Sequence, residues 1–152
     1  MKDKKAKKEA SKTAQGKVFF DTNILVYSVD ESDLRKKEIA SKLISQAIDS
    51  GNGVLSTQCL QEFYNTAIKK LNISKEAARE YVEYFSDNLP VVKISVPLIL
   101  SAVDISIKTQ FAFWDSLILC AAIDSGCATL YSEDLNDRKI VDGAKIQNPF
   151  AA

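Results

Sequence analysis

Residues 17–27 of the chain are KVFFDTNILVY, in which a short apolar run over residues 18–20 stops at an acidic residue, Asp21. Comparable apolar runs occur at residues 53–56, 91–94, 129–131 and 144–146. Amphipathic segments alternate with these runs, at residues 33–49, 58–71, 74–88, 97–108 and 114–125. Short apolar strands that alternate with helices indicate a parallel sheet covered on both faces. We therefore predict an α/β fold, a three-layer α/β/α sandwich with a mainly parallel sheet of four to five strands.

Four acidic side chains lie where these elements start or stop: Asp21, Glu62, Asp115 and Asp134. The first and last of them follow the first and fourth predicted strands, and the other two lie near the starts of predicted helices. Ligands of parallel sheets bind beyond the carboxyl ends of the strands, so we expect the four carboxylates to converge there. Converging carboxylates repel one another at neutral pH unless a cation neutralises them.

The chemistry of this cluster is constrained by a second feature, since the chain contains no histidine. Hard oxygen ligands suit Mg²⁺ or Mn²⁺, and such an ion can activate a water and neutralise phosphate charge. The pattern therefore predicts a metal-dependent nuclease. Taken singly, each carboxylate has a simpler interpretation: a cap or solvated turn residue for Asp21 and Asp134, an exposed helix charge for Glu62, and a helix-start residue for Asp115. The apolar residues on both sides of Asp115 favour a functional role, because they leave its charge poorly solvated.

Length and composition fit one folded domain. At 152 residues the chain can bury a single core. No apolar run approaches the roughly 18 residues of a membrane span, so we expect no membrane partner. The three cysteines, Cys59, Cys120 and Cys127, form no CxxC pair. This favours packed free thiols and a cytoplasmic location over disulfides or a zinc site.

Charge is unevenly distributed although the formal net charge is zero. Residues 1–17 carry seven lysines against two acidic residues, a net charge of +5, and the remainder carries −5. We predict a basic, disordered leader over residues 1–16 and a folded domain over residues 17–152. The leader is interpreted either as a solubilising tail or as a non-specific phosphate contact.

Four motifs carry a resemblance to a known family: FDTNILVY at residues 20–27, LQEFY at 60–64, FWDSLI at 113–118 and LYSEDL at 130–135. In order and spacing they resemble the motifs of PIN-domain ribonucleases, in particular the VapC-type toxins of bacterial type II toxin–antitoxin modules. The ending NPF at residues 148–150 is similar to one common in that group. The resemblance implies a PIN-like endoribonuclease that uses Mg²⁺ or Mn²⁺ to hydrolyse single-stranded or loop RNA. It also implies an antitoxin protein as partner and a homodimer.

Carried over residue by residue, the resemblance implies a catalytic and metal-binding quartet: Asp21, Glu62, Asp115 and Asp134. It places Asn23 and Ser132 where the family has polar side chains that orient carboxylates, although a turn hydroxyl is an equal interpretation of Ser132. Asp137 is a candidate outer metal contact, against the simpler interpretation of a solvated turn. Arg138 departs from the family, which often has glycine there.

Several alternatives stay open at this point. Trp114 could stack on a base, but an aromatic residue beside a helix start is more often packed. The basic helix over residues 33–49 is interpreted as a solvated face, and the resemblance adds a nearby groove for an antitoxin segment. A phosphatase would need a second aspartate where Asn23 stands, and a receiver domain would need acidic residues on an earlier strand. An RNA-processing nuclease that is not a toxin fits the same residues. A non-catalytic RNA-binding or partner-binding module fits less well, because the quartet is intact.

Overall fold

The structure, a computed structural model, describes residues 16–135 and 137–151. The predicted basic leader, apart from Gly16, lies outside the described residues. Within them are six strands: β1 (Lys17–Phe20), β2 (Gly53–Ser56), β3 (Val91–Val92), β4 (Cys127–Tyr131), β5 (Ile140–Val141) and β6 (Ala144–Gln147). The six helices are α1 (Thr22–Tyr27), α2 (Leu34–Ser50), α3 (Thr57–Lys69), α4 (Lys75–Asn88), α5 (Val96–Thr109) and α6 (Phe113–Asp124).

One sheet has the strand order β3-β2-β1-β4-β6-β5. All neighbouring strands pair in parallel except β5 and β6. All four residues of β2 are buried, so both faces of the sheet are covered at that strand. The predicted α/β fold with a mainly parallel sheet is therefore confirmed.

The sheet has one strand more than the predicted four to five. The extra strand, β5, is two residues long and forms a hairpin with β6 across Asp142 and Gly143. Both turn residues have positive φ, 46° and 86°, as a two-residue Asp-Gly hairpin turn requires. A strand this short has no apolar run of its own. The Asp-Gly pair is the only local signal for it.

Helix boundaries follow from local chemistry. The side chains of Asp33, Ser74 and Ser95 accept hydrogen bonds from the backbone N–H of Lys36, Ala77 and Leu98, which fixes the starts of α2, α4 and α5. Gly51 has a φ of 67° and ends α2 in the left-handed conformation that glycine adopts at little cost.

The core lies between the sheet and the helices. Its largest fully buried side chains come mainly from the strands and from helices α1, α3 and α6. Seven consecutive residues of α6, from 116 to 122, are buried, which identifies it as a central helix. The three cysteines are free and buried, as predicted. In the part of the chain that the structure describes, no single helix is long and apolar enough to cross a membrane. Among the described helices, α5 and α6 reach the length and apolar composition of a membrane span only when they are counted together, and the chain bends by 114° between them.

Candidate active site

The candidate site lies where the direction of strand order reverses. From β1 the chain continues to β2 and β3 on one side, and it returns to β4 on the other. Phe20 of β1 pairs with Tyr131 of β4, and the backbone N–H of Asp21 donates to the carbonyl of Tyr131 at 2.9 Å. Asp21 and Ser132 therefore leave the two central strands side by side, at the position where parallel sheets form a binding crevice.

Asp21 is a buried carboxylate with an exposed fraction of 7%. Its Oδ1 accepts a hydrogen bond from the backbone N–H of Thr22 at 2.6 Å, and its Oδ2 accepts one from Ser132 Oγ at 2.7 Å. Burial raises the pKa of Asp21 to about 6, although both hydrogen bonds lower it, and the negative charges of Glu62 and Asp134 raise it further. The charged form is therefore short of compensating positive charge.

The Asp134 carboxylate is held by Asn23, which stands two residues after Asp21 in the sequence. Asn23 Nδ2 donates to Asp134 Oδ2 at 2.9 Å, and the backbone N–H of Glu133 donates to Asn23 Oδ1 at 3.4 Å. Ser132 Oγ also accepts from the backbone N–H of Leu135 at 3.4 Å. Asn23 and Ser132 thus each hydrogen-bond to one acidic side chain and to the loop after β4.

Gln58, which the sequence pattern does not single out, links Glu62 to the backbone of Trp114, the residue before Asp115. Its Nε2 donates to Glu62 Oε1 at 2.6 Å and to the carbonyl of Trp114 at 3.1 Å. Gln58 stands four residues before Glu62 on α3, a spacing that places two side chains on the same helix face. That spacing is the only sequence signal for it. Burial raises the pKa of Asp115, and the charge of Asp134 raises it further.

All four acidic residues of the quartet line one cleft of about 580 Å³. Asp30 and Glu133 line it too, and Lys70 is the basic residue that does so among those described. As they stand, no three Asp, Glu or Cys side chains within residues 16–135 and 137–151 surround a single point closely enough to hold a metal ion. The carboxylates border a common cleft, and hydrogen bonds from Ser132, Asn23 and Gln58 hold three of them in their present positions.

The donor set nevertheless fits a hard cation. Every acidic group at the cleft offers carboxylate oxygens, which are the ligands that Mg²⁺ and Mn²⁺ prefer. Two buried polar atoms without a hydrogen-bond partner in the described residues belong to residues that line the cleft: Thr22 Oγ1 and Gln58 Oε1. Buried polar atoms are normally satisfied, so these positions are suited to water or an ion.

The structure corrects the packing interpretation of Trp114. An aromatic residue beside a helix start is expected to be packed, but 65% of the Trp114 side chain is exposed. Its ring meets Phe113 edge to face, with centroids 5.1 Å apart, and the residue lines the acidic cleft. The N-terminal turn of α6 directs Phe113 towards the core, so the adjacent residue is directed towards solvent.

The loop after β4 carries the candidate outer metal contact, Asp137. Asp137 lies outside the lining of the cleft. Its Oδ1 instead accepts from the backbone N–H of Asn148 at 2.8 Å, and its other oxygen lies 3.9 Å from Arg138 Nε. The structure therefore does not bring Asp137 together with the quartet. Arg138 has a φ of 67°, so it adopts the left-handed conformation that glycine would take there without strain.

The basic helix α2 is not wholly a solvated face. Lys36 Nζ lies 2.6 Å from Glu133 Oε2, and Tyr27 donates to the other oxygen of Glu133 at 2.7 Å. Lys36 also lies 4.6 Å from the centroid of the Tyr27 ring. This network ties α1 and α2 to the residue that precedes Asp134. It joins positions 97 and 106 residues apart, which local sequence pattern does not show.

The family model of the PIN domain matches residues 18–142. The chain therefore belongs to the PIN domain family. Among solved structures, DNA-bound VapBC from Salmonella typhimurium is similar, with 18% identity, a TM-score of 0.66 and coverage of 88% of this chain and 98% of that one. VapC20 of Mycobacterium tuberculosis, described as a sarcin-ricin loop cleaving toxin, has 16% identity, a TM-score of 0.63 and coverage of 77% and 89%.

A third similar structure is VapBC2 from Rickettsia felis bound to a DNA fragment from its promoter. It has 18% identity, a TM-score of 0.57 and coverage of 77% of this chain and 87% of that one. No curated protein sequence matches the chain. At these identities the structural similarity establishes a shared fold.

Proposed function

We propose that this PIN-domain chain is an endoribonuclease that depends on Mg²⁺ or Mn²⁺. The observation that carries the proposal is the position of Asp21. It is buried at the junction of β1 and β4, its pKa is raised to about 6, and it shares a cleft with Glu62, Asp115 and Asp134. A carboxylate that is both buried and surrounded by like charge is stabilised in its ionised form by a bound cation.

The quartet would hold the cation: Asp21, Glu62, Asp115 and Asp134. Once bound, the cation supplies a water activated for attack on phosphorus and neutralises charge on the phosphate. The remaining residues act on the carboxylates. Ser132 and the backbone of Thr22 fix both oxygens of Asp21, Asn23 fixes Asp134, and Gln58 fixes Glu62. Such outer contacts set the orientation of metal ligands and their basicity.

We further propose a toxin of a type II toxin–antitoxin pair acting in the cytoplasm, with an antitoxin protein as partner and a homodimer as its assembly. The support is similarity of fold to VapC20, described as a sarcin-ricin loop cleaving toxin, and to two VapBC complexes. The three free, buried thiols agree with a reducing compartment. Growth of bacteria that express the chain from an inducible promoter tests this role. We expect arrest with the natural chain and continued growth with Asp21→Asn.

The nuclease proposal is tested by incubating purified protein with mixed RNAs in Mg²⁺, in Mn²⁺ and in EDTA. We expect cleavage with either ion and none in EDTA. Asp21→Asn and Asp115→Asn should each slow cleavage by at least about 100-fold, since loss of a residue that merely orients a ligand already costs 10- to 100-fold.

The matched control is Asp87→Asn, which alters an exposed carboxylate on α4 outside the cleft. It should cleave at the natural rate. Cleavage that persists in EDTA, or an Asp21→Asn variant as active as the control, would contradict the proposed site. RNA binding without any cleavage by the natural chain would instead identify a binding module.

A further inference from the structure

Trp114 is a large aromatic side chain exposed at the edge of the acidic cleft. With 65% exposure it is among the most exposed large apolar side chains in the described residues. It lines the cleft and immediately precedes Asp115 of the quartet. The exposed residues of α5, such as Leu100, do not line that cleft. The position of Trp114 therefore points to a contact made within the cleft.

Trp114 is anchored through its backbone and contacts one neighbouring ring. Its backbone carbonyl accepts a hydrogen bond from Gln58 Nε2 at 3.1 Å, and the same nitrogen donates to Glu62. The ring contacts Phe113 at an interplanar angle of 67°, and Phe113 in turn packs against the core. An exposed ring held by its backbone and by one edge presents a preorganised flat face, and a flat aromatic face binds planar groups at small entropic cost.

Electrostatics shows which contact an RNA would need here. Six acidic side chains line the cleft, and Lys70 is the one basic side chain described there. The acidic lining repels phosphate wherever no cation intervenes. Affinity must therefore come largely from the bound cation and from uncharged contacts to the nucleotide. Stacking of a base on an aromatic ring is such a contact, and it tolerates any sequence because every base has a π-face.

We propose that Trp114 is a stacking platform for an unpaired nucleobase beside the phosphate that the quartet acts on. This inference rests on the proposed ribonuclease function and specifies its substrate. A base within a duplex has both faces covered by its neighbours, so it cannot stack on Trp114. The platform therefore selects RNA with unpaired bases at the site of cleavage.

The chain provides its own reporter, because Trp114 is its single tryptophan. The experiment titrates the Asp21→Asn protein in Mg²⁺ with a short unpaired oligoadenylate and with a long RNA duplex, in which all bases except those of the two end pairs have both faces covered. Binding is followed by anisotropy of labelled RNA, and tryptophan emission is recorded in parallel. We expect the unpaired RNA to quench emission in step with binding, and the duplex to leave emission unchanged.

Three variants made in the same Asp21→Asn protein complete the test. Trp114→Ala should weaken binding of the unpaired RNA by about 5- to 150-fold, the usual effect of removing a stacked ring. Trp114→Phe keeps an aromatic face and should stay within about fivefold of the parent. Leu100→Ala removes an exposed apolar side chain outside the cleft and should bind RNA as the parent does.

The outcomes separate this inference from the proposed function. Equal affinity of Trp114→Ala and its parent, or RNA binding without quenching, overturns the platform. Emission that shifts with protein concentration alone also overturns it, because a second copy of the chain would then cover the ring. If Trp114→Ala in the otherwise natural chain cleaves RNA at the natural rate, the stacking proposal is wrong and the ribonuclease proposal is supported. If unpaired RNA quenches the tryptophan emission of the natural chain but is never cleaved, Trp114 binds bases as proposed and the ribonuclease proposal is wrong.

Discussion

Asp21 has two structural roles, since it ends β1 and also caps α1. Its carboxylate accepts a hydrogen bond from the backbone N–H of Thr22, the first residue of the six-residue helix α1. The cap and the Ser132 hydroxyl supply hydrogen bonds but no positive charge. Desolvation is therefore the largest influence on the Asp21 carboxyl, and it raises the pKa of this group to about 6.

This raised pKa predicts a dependence of stability on pH. Between about pH 4 and pH 6 the folded chain keeps the Asp21 proton while the unfolded chain releases it. The stabilisation that this group contributes is therefore present below about pH 4 and is lost as the pH rises through 6. In EDTA at pH 8, Asp21→Asn should be more stable than the natural chain by on the order of 3 kcal/mol, and at pH 4 the difference should be near zero.

Urea unfolding of both proteins at pH 4 and pH 8 measures this difference. Asp87→Asn, which removes an exposed carboxylate, should change stability little at either pH. An Asp21→Asn protein less stable than the natural chain at pH 8 would show that the hydrogen bonds of Asp21 outweigh its desolvation. Added Mg²⁺ should stabilise the natural chain more than the variant, because a ligand that binds only the folded state stabilises it.

At the scale of elements, Gln58 joins two helices that each carry part of the quartet. Glu62 is one turn further along α3, and Trp114 belongs to the first turn of α6, directly before Asp115. Both partners of the Gln58 amide are acceptors, so its nitrogen must face them. Its oxygen is consequently buried without a partner in the described residues. Under the proposed function, Gln58 is therefore expected to be a positioning residue that acts through Glu62 and the start of α6.

Replacing Gln58 with Ala should lower the cleavage rate by about 10- to 100-fold, as loss of a residue that orients metal ligands does. The Mg²⁺ concentration for half-maximal rate should rise, because Glu62 would no longer be held towards the cleft. Metal titrations of cleavage under saturating RNA measure both effects.

The matched control for Gln58 is Gln61→Ala, an exposed residue of the same helix outside the cleft. It should leave the metal dependence unchanged. A Gln58→Ala protein that loses stability while keeping the natural Mg²⁺ dependence would show that the residue is merely structural.

At the scale of the whole molecule, the last described residues pack against helices α1 and α2 near the start of the fold. Phe150 is 5% exposed, and its ring meets Tyr27 edge to face at 5.0 Å. Arg35 donates to the carbonyl of Phe150 at 2.9 Å, and Lys36 lies 5.5 Å from the centroid of its ring. The same Tyr27 and Lys36 hold Glu133 beside the cleft. The C-terminal segment therefore supports α1 and α2 where they border the site.

Phe150→Ala should destabilise the chain by about 3–5 kcal/mol, the usual cost of truncating a buried phenylalanine. Thermal unfolding followed by circular dichroism measures this loss. Leu34→Ala is the control, since Leu34 lies beside Arg35 on α2 but is largely exposed. A loss no larger than that of the control would show that the C-terminal segment does not support the site.

Local pattern in the sequence predicts the repeated strands and helices of the fold. It also singles out four of the six acidic residues that line the cleft, but not Asp30 or Glu133. Asp21 and Asp134 come after strands, and parallel strands place the residues at their carboxyl ends along one edge of the sheet. The features that the sequence does not predict are of two kinds: contacts between distant positions, and elements that are very short. The Lys36–Glu133 pair and the exposure of Trp114 depend on how helices rotate against the sheet. Helix α1 and strand β5 are too short for a periodic pattern to show.

The pairing of β1 with β4 has a consequence for protein synthesis. The quartet is drawn from positions 21, 62, 115 and 134, and the last of these comes after the strand that fills the centre of the sheet. Translation proceeds from the amino terminus, so a growing polypeptide on the ribosome lacks Asp134 until both central strands, β1 and β4, have been made. Under the proposed function, such a polypeptide would not cut its own message or ribosome before that point.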